Sequence, residues 1–335
     1  MKFALITGIT GMVGSHLTDY LLKNTNWKIY GLSRWRSPLD NIEHLLNQAN
    51  KKNSRVNFIY GDLNDYSSLV ECIKQSKPNY VFHLAAQSYP KTSFTEANLT
   101  LDTNVIGTYN LLNAINKSKF KPYVHVCSSS EIFGKVSKDK LPIDENCSFH
   151  PASPYAISKV GTDLIGRYFY EAYKMKVMVT RMFTHTGPRR GDVFAESTFA
   201  KQIALIESKK SPAIIKVGNL NSLRTFADVR DAVRAYYMLL TNKPKPGEVY
   251  NIGGNFTCKI GDMLNYLISL SKIKNIKILK DKKRLRPIDA DLQVPNTSKF
   301  HRHTGWKAEI KFEKTMLDLL NYWRQRVKKN NFLDR

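Results

Sequence analysis

The sequence predicts an α/β fold in which a doubly wound parallel sheet is joined to a smaller, mixed α/β C-terminal lobe. Short apolar, β-prone segments alternate with helix-like stretches through the first half of the chain, which is the pattern of a parallel sheet covered on both faces. A glycine cluster follows the first apolar segment, as in a Rossmann fold. We therefore expect a cofactor domain over 1–183, with returning segments near 225–254, and a substrate lobe over 184–224 and 255–335.

The elements are assigned in chain order from the periodicity of apolar residues. Strands are expected within 3–6, 27–33, 56–62, 80–86, 123–129 and 177–183. Helices are expected near 12–23, 66–75, 100–117 and 154–174. The second lobe has apolar segments at 213–218 and 248–254, a loop-like stretch at 285–300 and an amphipathic helix at 314–327.

Composition narrows the class of protein. The chain has 335 residues, 42% of them apolar and 24% charged, an ordinary globular mix. It contains no apolar run of the roughly 18 residues that a membrane span requires and no signal-peptide pattern. We therefore expect a cytoplasmic protein without a membrane partner.

The formal net charge of +24 is the unusual bulk feature. The basic residues are spread along the chain and form no nucleic-acid motif, so a generic basic surface or steering of anionic ligands is favoured over RNA binding. The four cysteines are far apart and lack metal-ligand spacing. We expect reduced thiols, no metal and no nucleic-acid partner.

The glycine loop predicts a dinucleotide site. Gly8, Gly11 and Gly14 are spaced G-x-x-G-x-x-G between the first strand and the first helix. Glycines allow a tight turn there, and the helix N-terminus attracts a pyrophosphate. The cofactor loop is expected to comprise Gly8, Thr10, Gly11, Met12, Val13 and Gly14.

The ends of the next strands indicate which cofactor binds. Ser33, Arg34 and Arg36 lie where an NAD site would place a carboxylate, and cations with hydroxyl donors suit the 2′-phosphate of NADP. Asp62 is expected either to accept from the adenine or to cap a turn. Contacts with the cofactor are also expected from Leu63, Leu84, Ala85, Ala86 and Gln87.

Tyr155 and Lys159 are four residues apart on a predicted helix, so their side chains face the same way. An ammonium group near a tyrosine lowers the tyrosine pKa and makes it a usable base. Ser129 ends the preceding strand. Ser129, Tyr155 and Lys159 are therefore candidate catalytic residues for hydride transfer.

Several segments carry a family resemblance that covers essentially the whole chain. Their order and spacing resemble extended short-chain dehydrogenases that act on nucleotide-sugars, as seen in TGITGMVG (7–14), HLAAQS (83–88), SSSEIFG (128–134) and SPYAISK (153–159). Three longer segments are similar to GDP-mannose 4,6-dehydratases, and in part to GDP-4-keto-6-deoxymannose reductases: 184–191, 217–240 and 285–291.

The resemblance implies that Glu131 is the acid/base that removes the C5 proton and protonates the departing C6 hydroxyl. Ser129 occupies the position where the dehydratases carry Thr, and it keeps the hydroxyl. Ser130 stands where dTDP-glucose dehydratases carry Asp, which disfavours that subclass.

The resemblance also implies a set of substrate contacts. Arg224 and Arg286 are expected to clamp the diphosphate, and Asp289 to contact a ribose. THTG replaces the NHES-type segment at 184–187, so the sugar can be a hexose or a heptose. The full expected set is Ser88, Ser129, Ser130, Glu131, Thr184, Arg190, Lys201, Arg224, Arg286 and Asp289.

These expectations combine into one functional hypothesis, the NADP-dependent 4,6-dehydration of GDP-mannose or GDP-manno-heptose. The alternatives are a GDP-4-keto-6-deoxysugar reductase, a nucleotide-sugar epimerase and a non-enzymatic NADP-binding regulator. The family also implies a homo-oligomer, a dimer or tetramer, in which helices 100–117 and 154–174 pair between subunits. Those helix faces could equally pack on their own sheet.

Overall fold

The structure is a computed structural model that describes residues 1–288 and 290–330. Its strands are β1 (Phe3–Thr7), β2 (Lys28–Ser33), β3 (Val56–Tyr60), β4 (Tyr80–His83), β5 (Tyr123–Ser129), β6 (Val177–Met182), β7 (His185–Thr186), β8 (Ile214–Val217), β9 (Leu223–Asp228), β10 (Val249–Ile252), β11 (Phe256–Lys259), β12 (Lys277–Lys280) and β13 (Leu292–Gln293). Its α-helices are α1 (Met12–Asn24), α2 (Glu43–Leu46), α3 (Tyr66–Ser76), α4 (Ala97–Leu101), α5 (Gly107–Lys117), α6 (Pro154–Tyr173), α7 (Ala195–Glu207), α8 (Val229–Thr241), α9 (Ile260–Ser269), α10 (Ser298–Thr304) and α11 (Phe312–Lys328).

Within these described ranges, seven parallel strands form the main sheet in the order β3-β2-β1-β4-β5-β6-β10. The central strands are buried on both faces, as every residue of β4 and β6 shows, and most of their residues are apolar for that reason. The strand order reverses between β1 and β4, and ligands of such sheets bind beyond the carboxyl ends of the strands at this point. The prediction of a doubly wound sheet is confirmed.

Helices cover both faces of this sheet. Leu17 of α1 and Tyr236 of α8 belong to the apolar cluster on one face. Ile73 of α3, Leu112 of α5 and Phe169 of α6 belong to the cluster on the other face. The chain thus leaves the main sheet after β6 and returns through α8 and β10.

The second lobe has a core of its own. A sheet in the order β11-β9-β13, with β7 paired to β9, and the pair β8–β12 form its strands. Helices α7, α9 and α11 contribute Ile203, Leu264 and Leu320 to one buried apolar cluster. This lobe lies over the carboxyl ends of the main strands, because residues of both lobes line one cleft.

Two predicted elements differ in the structure. The helix expected at 100–117 begins at Ala97 and is interrupted by a π-helical turn at Asp102–Ile106. Such turns are common at functional sites, and this one directs Asn104 toward Gln87, as described below. The stretch 285–300, expected to be a loop, contains β13 and the start of α10.

No helix in the described part of the chain is long and apolar enough to cross a membrane.

Candidate active site

A single large cleft collects nearly all of the predicted site residues. It has a volume of about 1570 Å³, more than the roughly 300–1,000 Å³ that one drug-sized ligand occupies, and so has room for two nucleotides. The predicted residues that line it are Gly8, Thr10, Gly11, Met12, Val13, Gly14, Ser33, Arg34, Asp62, Leu63, Leu84, Ala85, Ala86, Gln87, Ser88, Ser129, Ser130, Glu131, Tyr155, Lys159, Thr184, Arg190, Lys201, Arg224 and Arg286.

Two predicted residues stand apart from this set. Arg36 does not line the cleft. Its guanidinium lies 5.3 Å from the ring centroid of the exposed Trp35, and both side chains face solvent. Its contact with a cofactor stays a prediction. Asp289 lies outside the described residues.

The glycine turn is dictated by close backbone contacts. Gly8 has a φ of +73°, and a Cβ on it would lie 2.8 Å from the Cα of Ala85. A Cβ on Gly14 would lie 2.3 Å from the carbonyl oxygen of Gly8. Only glycine fits both positions, so β1, the strand end after β4 and α1 meet closely. The N-terminus of α1 therefore opens onto the cleft, where it can bind an anion.

A series of buried hydrogen bonds holds the ends of β1 and β4 together beside this turn. The hydroxyl of Thr7 accepts hydrogen bonds from the amides of Leu84 and Ala85, both at 3.1 Å, and donates to Nδ1 of His83 at 2.9 Å. Nε2 of His83 in turn donates to the hydroxyl of Thr108 at 2.9 Å. Burial lowers the pKa of His83 to about 3, so the ring is neutral and its tautomer is set by these bonds. These hydrogen bonds were not predicted from the sequence, although Thr7 and His83 are the first residues of the TGITGMVG and HLAAQS segments.

The end of the cleft at β2 presents a cation and hydroxyl groups. Arg34 and Ser33 line it, together with Ser37 and Asn41, which the sequence analysis missed. Asn41 donates from Nδ2 to the carbonyl of Thr10 at 3.0 Å and so joins this end to the glycine turn.

Asp62 occupies the wall beside this end of the cleft. Its carboxylate accepts a hydrogen bond from the amide of Asn64 at 3.0 Å. The turn-capping role that the sequence left open is therefore present in the structure.

Ser129, Tyr155 and Lys159 are brought together at the end of β5 and the first turns of α6. All three are buried, with Tyr155 8% exposed. Nζ of Lys159 donates to the carbonyl of Cys127 at 2.8 Å. Burial raises the pKa of Tyr155, although a hydrogen bond with Ser129 opposes the shift. The expected lowering of the tyrosine pKa by the lysine is thus wrong for this state, because burial outweighs the favourable contacts.

Glu131 follows in the short 3-10 turn Ser130–Phe133, and its own amide donates a hydrogen bond to the hydroxyl of Ser129 at 3.2 Å. Two arginines of the second lobe face its carboxylate. Nη2 of Arg224 is 4.0 Å from Oε1, and Nη1 of Arg286 is 3.8 Å from Oε2. The sequence did not anticipate that the expected diphosphate clamps contact the expected acid/base.

The segment after β6 forms another part of the cleft wall. The guanidinium of Arg190 lies 3.4 Å from the ring centroid of Phe194 and 3.2 Å from the carboxylate of Glu196. Burial lowers the pKa of His185, another lining residue, to about 4, so this ring is neutral. Lys201 pairs with Asp192 at 3.0 Å.

Asn104, which the sequence analysis missed, holds the middle of the cleft in place. Its side chain donates to the carbonyl of Gln87 and the hydroxyl of Ser158, both at 2.9 Å, and accepts from the amide of Gln87 at 2.8 Å. The π-helical turn allows this reach. No pattern in the sequence indicates this turn, because a helix that contains one π-helical turn has nearly the same apolar periodicity as a regular α-helix.

The described residues contain no group of three or more His, Cys, Asp or Glu side chains that could hold a metal ion.

A doubly wound sheet with Ser, Tyr and Lys at its carboxyl edge and a second lobe over the cleft defines an extended short-chain dehydrogenase. Within this class, residues 5–319 match the family model of GDP-mannose 4,6 dehydratase. The chain belongs to that family, as the sequence analysis expected.

Known relatives carry two different activities. The chain is 32% identical to GDP-mannose 4,6 dehydratase 2 of Caenorhabditis elegans, over 92% of this chain and 85% of the relative. It is 30% identical to GDP-6-deoxy-D-mannose reductase of Pseudomonas aeruginosa, over 96% and 97%. A solved structure of RMD from Pseudomonas aeruginosa complexed with NADPH superposes with a TM-score of 0.81 at 28% identity, covering 97% of this chain and 100% of that one.

Proposed function

We propose that this enzyme dehydrates a GDP-sugar, GDP-mannose or GDP-manno-heptose, to its 4-keto-6-deoxy form with a recycled NADP. The observation that carries the proposal is the position of Glu131. Its carboxylate shares one cleft with Ser129 and Tyr155, so an acid/base and a hydride-transfer set face the same sugar. A reductase needs only the second of these.

The residues present fit a nicotinamide dinucleotide. The glycine turn and the N-terminus of α1 would hold the pyrophosphate, and Arg34, with Ser33, would meet a 2′-phosphate. Tyr155 and Lys159 would face the nicotinamide ribose. When bound, the cofactor would accept a hydride from one sugar carbon and return it to another.

The protein groups supply the proton transfers. Tyr155 takes the proton of the C4 hydroxyl, and the Ser129 hydroxyl orients that oxygen. Glu131 then removes the C5 proton, which the C4 ketone has acidified, and delivers a proton to the departing C6 hydroxyl. One carboxylate suffices for both steps because the first step loads the proton that the second one uses.

The nucleotide-sugar itself would be held mainly by the lobe formed by 184–224 and 255–330. Lys201, Arg224 and Arg286 line this side of the cleft and provide cations for a diphosphate. THTG at 184–187, with His185 beside Arg190 and Phe194, shapes the sugar pocket, which is why both a hexose and a heptose are proposed.

The experiment is a comparison of Glu131→Gln with Glu248→Gln. Glu248 pairs with Lys299 at 2.7 Å outside the cleft and serves as the matched acid-to-amide control. The Glu131 variant should lose water elimination by about 100-fold or more, the contribution of a positioned acid/base, and should still bind GDP. Full elimination by the Glu131 variant would disprove the assignment.

A reductase is the second candidate, and the likeness to GDP-6-deoxy-D-mannose reductase of Pseudomonas aeruginosa favours it. Reduction of a 4-keto sugar needs a proton donor at the C4 oxygen as well as a hydride donor, and the Tyr155 hydroxyl would supply that proton. Stoichiometric NADPH consumption with a GDP-4-keto-6-deoxysugar, and no water loss from GDP-mannose, would select the reductase.

We further propose that two copies pair through α4, α5 and α6. Apolar side chains on this surface are between 41% and 51% exposed: Leu99, Ile106, Tyr109, Ile157, Leu164, Tyr168 and Tyr173. An isolated chain rarely exposes so many large apolar groups on adjacent helices. Light scattering after size exclusion should show a dimer or tetramer that Leu164→Glu converts to a smaller species. A native chain that is monomeric at micromolar concentration would refute the pairing.

A further inference from the structure

The acid/base carboxylate is held by charges that come from the opposite lobe. Glu131 follows β5 in the first lobe, whereas Arg224 lies on β9 and Arg286 follows β12. Each carboxylate oxygen faces a different guanidinium, at 4.0 Å and 3.8 Å. The side chains are 19% (Glu131), 10% (Arg224) and 25% (Arg286) exposed, so solvent screens these pairs only partly.

These contacts engage the group that would act on the sugar. Both carboxylate oxygens of Glu131 face guanidiniums of the second lobe, and the carboxylate must leave these pairs before it can reach the C5 proton of a substrate. The same two guanidiniums line the cleft with Lys201, where a diphosphate would lie. A diphosphate carries more charge than one carboxylate and binds guanidinium in a bidentate manner, so it competes for them successfully.

We propose that Arg224 and Arg286 hold Glu131 in a resting ion-pair cluster, and that the diphosphate of the substrate draws the arginines away and frees the carboxylate to act as a base. This inference rests on the proposed function. It makes the two arginines positioning residues for Glu131 as well as substrate anchors. A sugar 1-phosphate, which lacks the second phosphate, would then lose kcat as well as affinity.

The test measures the accessibility of Glu131 without using turnover. The protein is labelled with a carbodiimide and an amine, with and without GDP, and the peptide containing Glu131 is quantified by mass spectrometry. Glu131→Gln identifies the labelled position. Saturating GDP should raise the labelling rate by about fivefold, the equivalent of one partly screened ion pair.

The variant arm uses Arg286, which is the more exposed arginine. Arg286→Gln should raise labelling of Glu131 without GDP, and Arg286→Lys, which keeps the charge, should restore the low rate. An arginine that only binds substrate would change the affinity for GDP and leave labelling of the free protein unchanged.

Two negative results are distinguishable. If calorimetry shows that GDP binds while labelling is the same with and without it, the switch is overturned and the proposed function stands. If GDP does not bind at all, the proposed GDP-sugar substrate is wrong, and the switch falls with it.

Discussion

The buried ion pair between Asp163 and Arg181 should be a main determinant of stability beside the active site. Nε and Nη2 of Arg181 donate to the two carboxylate oxygens at 2.8 and 3.2 Å. The side chain of Asp163 is 0% exposed and that of Arg181 is 3% exposed. Nη1 of Arg181 also donates to the carbonyl of Glu145 at 2.7 Å, which ties the segment after Glu131 to β6. Asp163→Asn removes one charge and leaves the guanidinium buried, which should cost about 3–5 kcal/mol of unfolding free energy.

Urea unfolding followed by tryptophan fluorescence measures this loss. Glu171→Gln is the matched control, because Glu171 is an exposed acid on the same helix and should change stability by less than about 0.5 kcal/mol. Equal, small effects of the two variants would refute the reasoning, since they would mean that solvent compensates the charge of Arg181.

Three further predictions concern the cofactor site and pH. Thr7→Val should destabilise the protein by about 2 kcal/mol and weaken NADP binding, because the amides of Leu84 and Ala85 lose their acceptor; Thr7→Ser should retain both in unfolding and calorimetric measurements. Arg34→Ser should raise KM for NADP by about tenfold and leave KM for NAD nearly unchanged, and an equal loss for both would show that Arg34 does not contact the 2′-phosphate. Burial lowers the pKa of His16 from 6.5 to about 4, so between these pH values the unfolded chain binds a proton that the folded chain does not. The free energy of unfolding should therefore fall by about 1.4 kcal/mol per pH unit, from this group alone, as the pH drops through that window. His16→Gln should lose this part of the pH dependence, and a variant with the same urea midpoints as the native protein at both pH 7 and pH 5 would contradict the assignment.

The sequence was sufficient for the fold because its signals are local and repeated. Apolar segments such as β4 and β6 are buried on both faces, and a helix pattern follows most of them. The glycine turn is visible in the sequence because only glycine fits at positions 8 and 14, where a Cβ would contact the backbone of Ala85 or Gly8. The π-helical turn at Asp102–Ile106 left no comparable signal, since inserting one residue in a helix barely changes its apolar periodicity.

The site was predictable where one motif supplies the residues and less so where distant segments meet. Tyr155 and Lys159 lie on one helix, so their spacing in the sequence fixes their relation in space. The contacts of Glu131 with Arg224 and Arg286 join segments far apart in the chain, and no spacing rule connects them. Burial is likewise a property of the whole fold, which is why the direction of the Tyr155 pKa shift differed from the expectation.

The relatives that match this chain carry two activities, dehydration and reduction. Dehydration and reduction both need a hydride donor or acceptor beside a tyrosine that exchanges a proton with the C4 oxygen. They differ in the need for a carboxylate near C5 and C6. Under the proposed function, Glu131 is the residue on which the distinction depends, so its contacts with the second lobe are the first to measure.

The central claim is tested most directly by mass spectrometry of GDP-mannose, and in parallel of GDP-manno-heptose, after incubation with the protein and a catalytic amount of NADP⁺. The account predicts the loss of one molecule of water from at least one of these sugars, with no net formation of NADPH. Loss of water from neither sugar, although both bind, would contradict 4,6-dehydration and would favour the reductase.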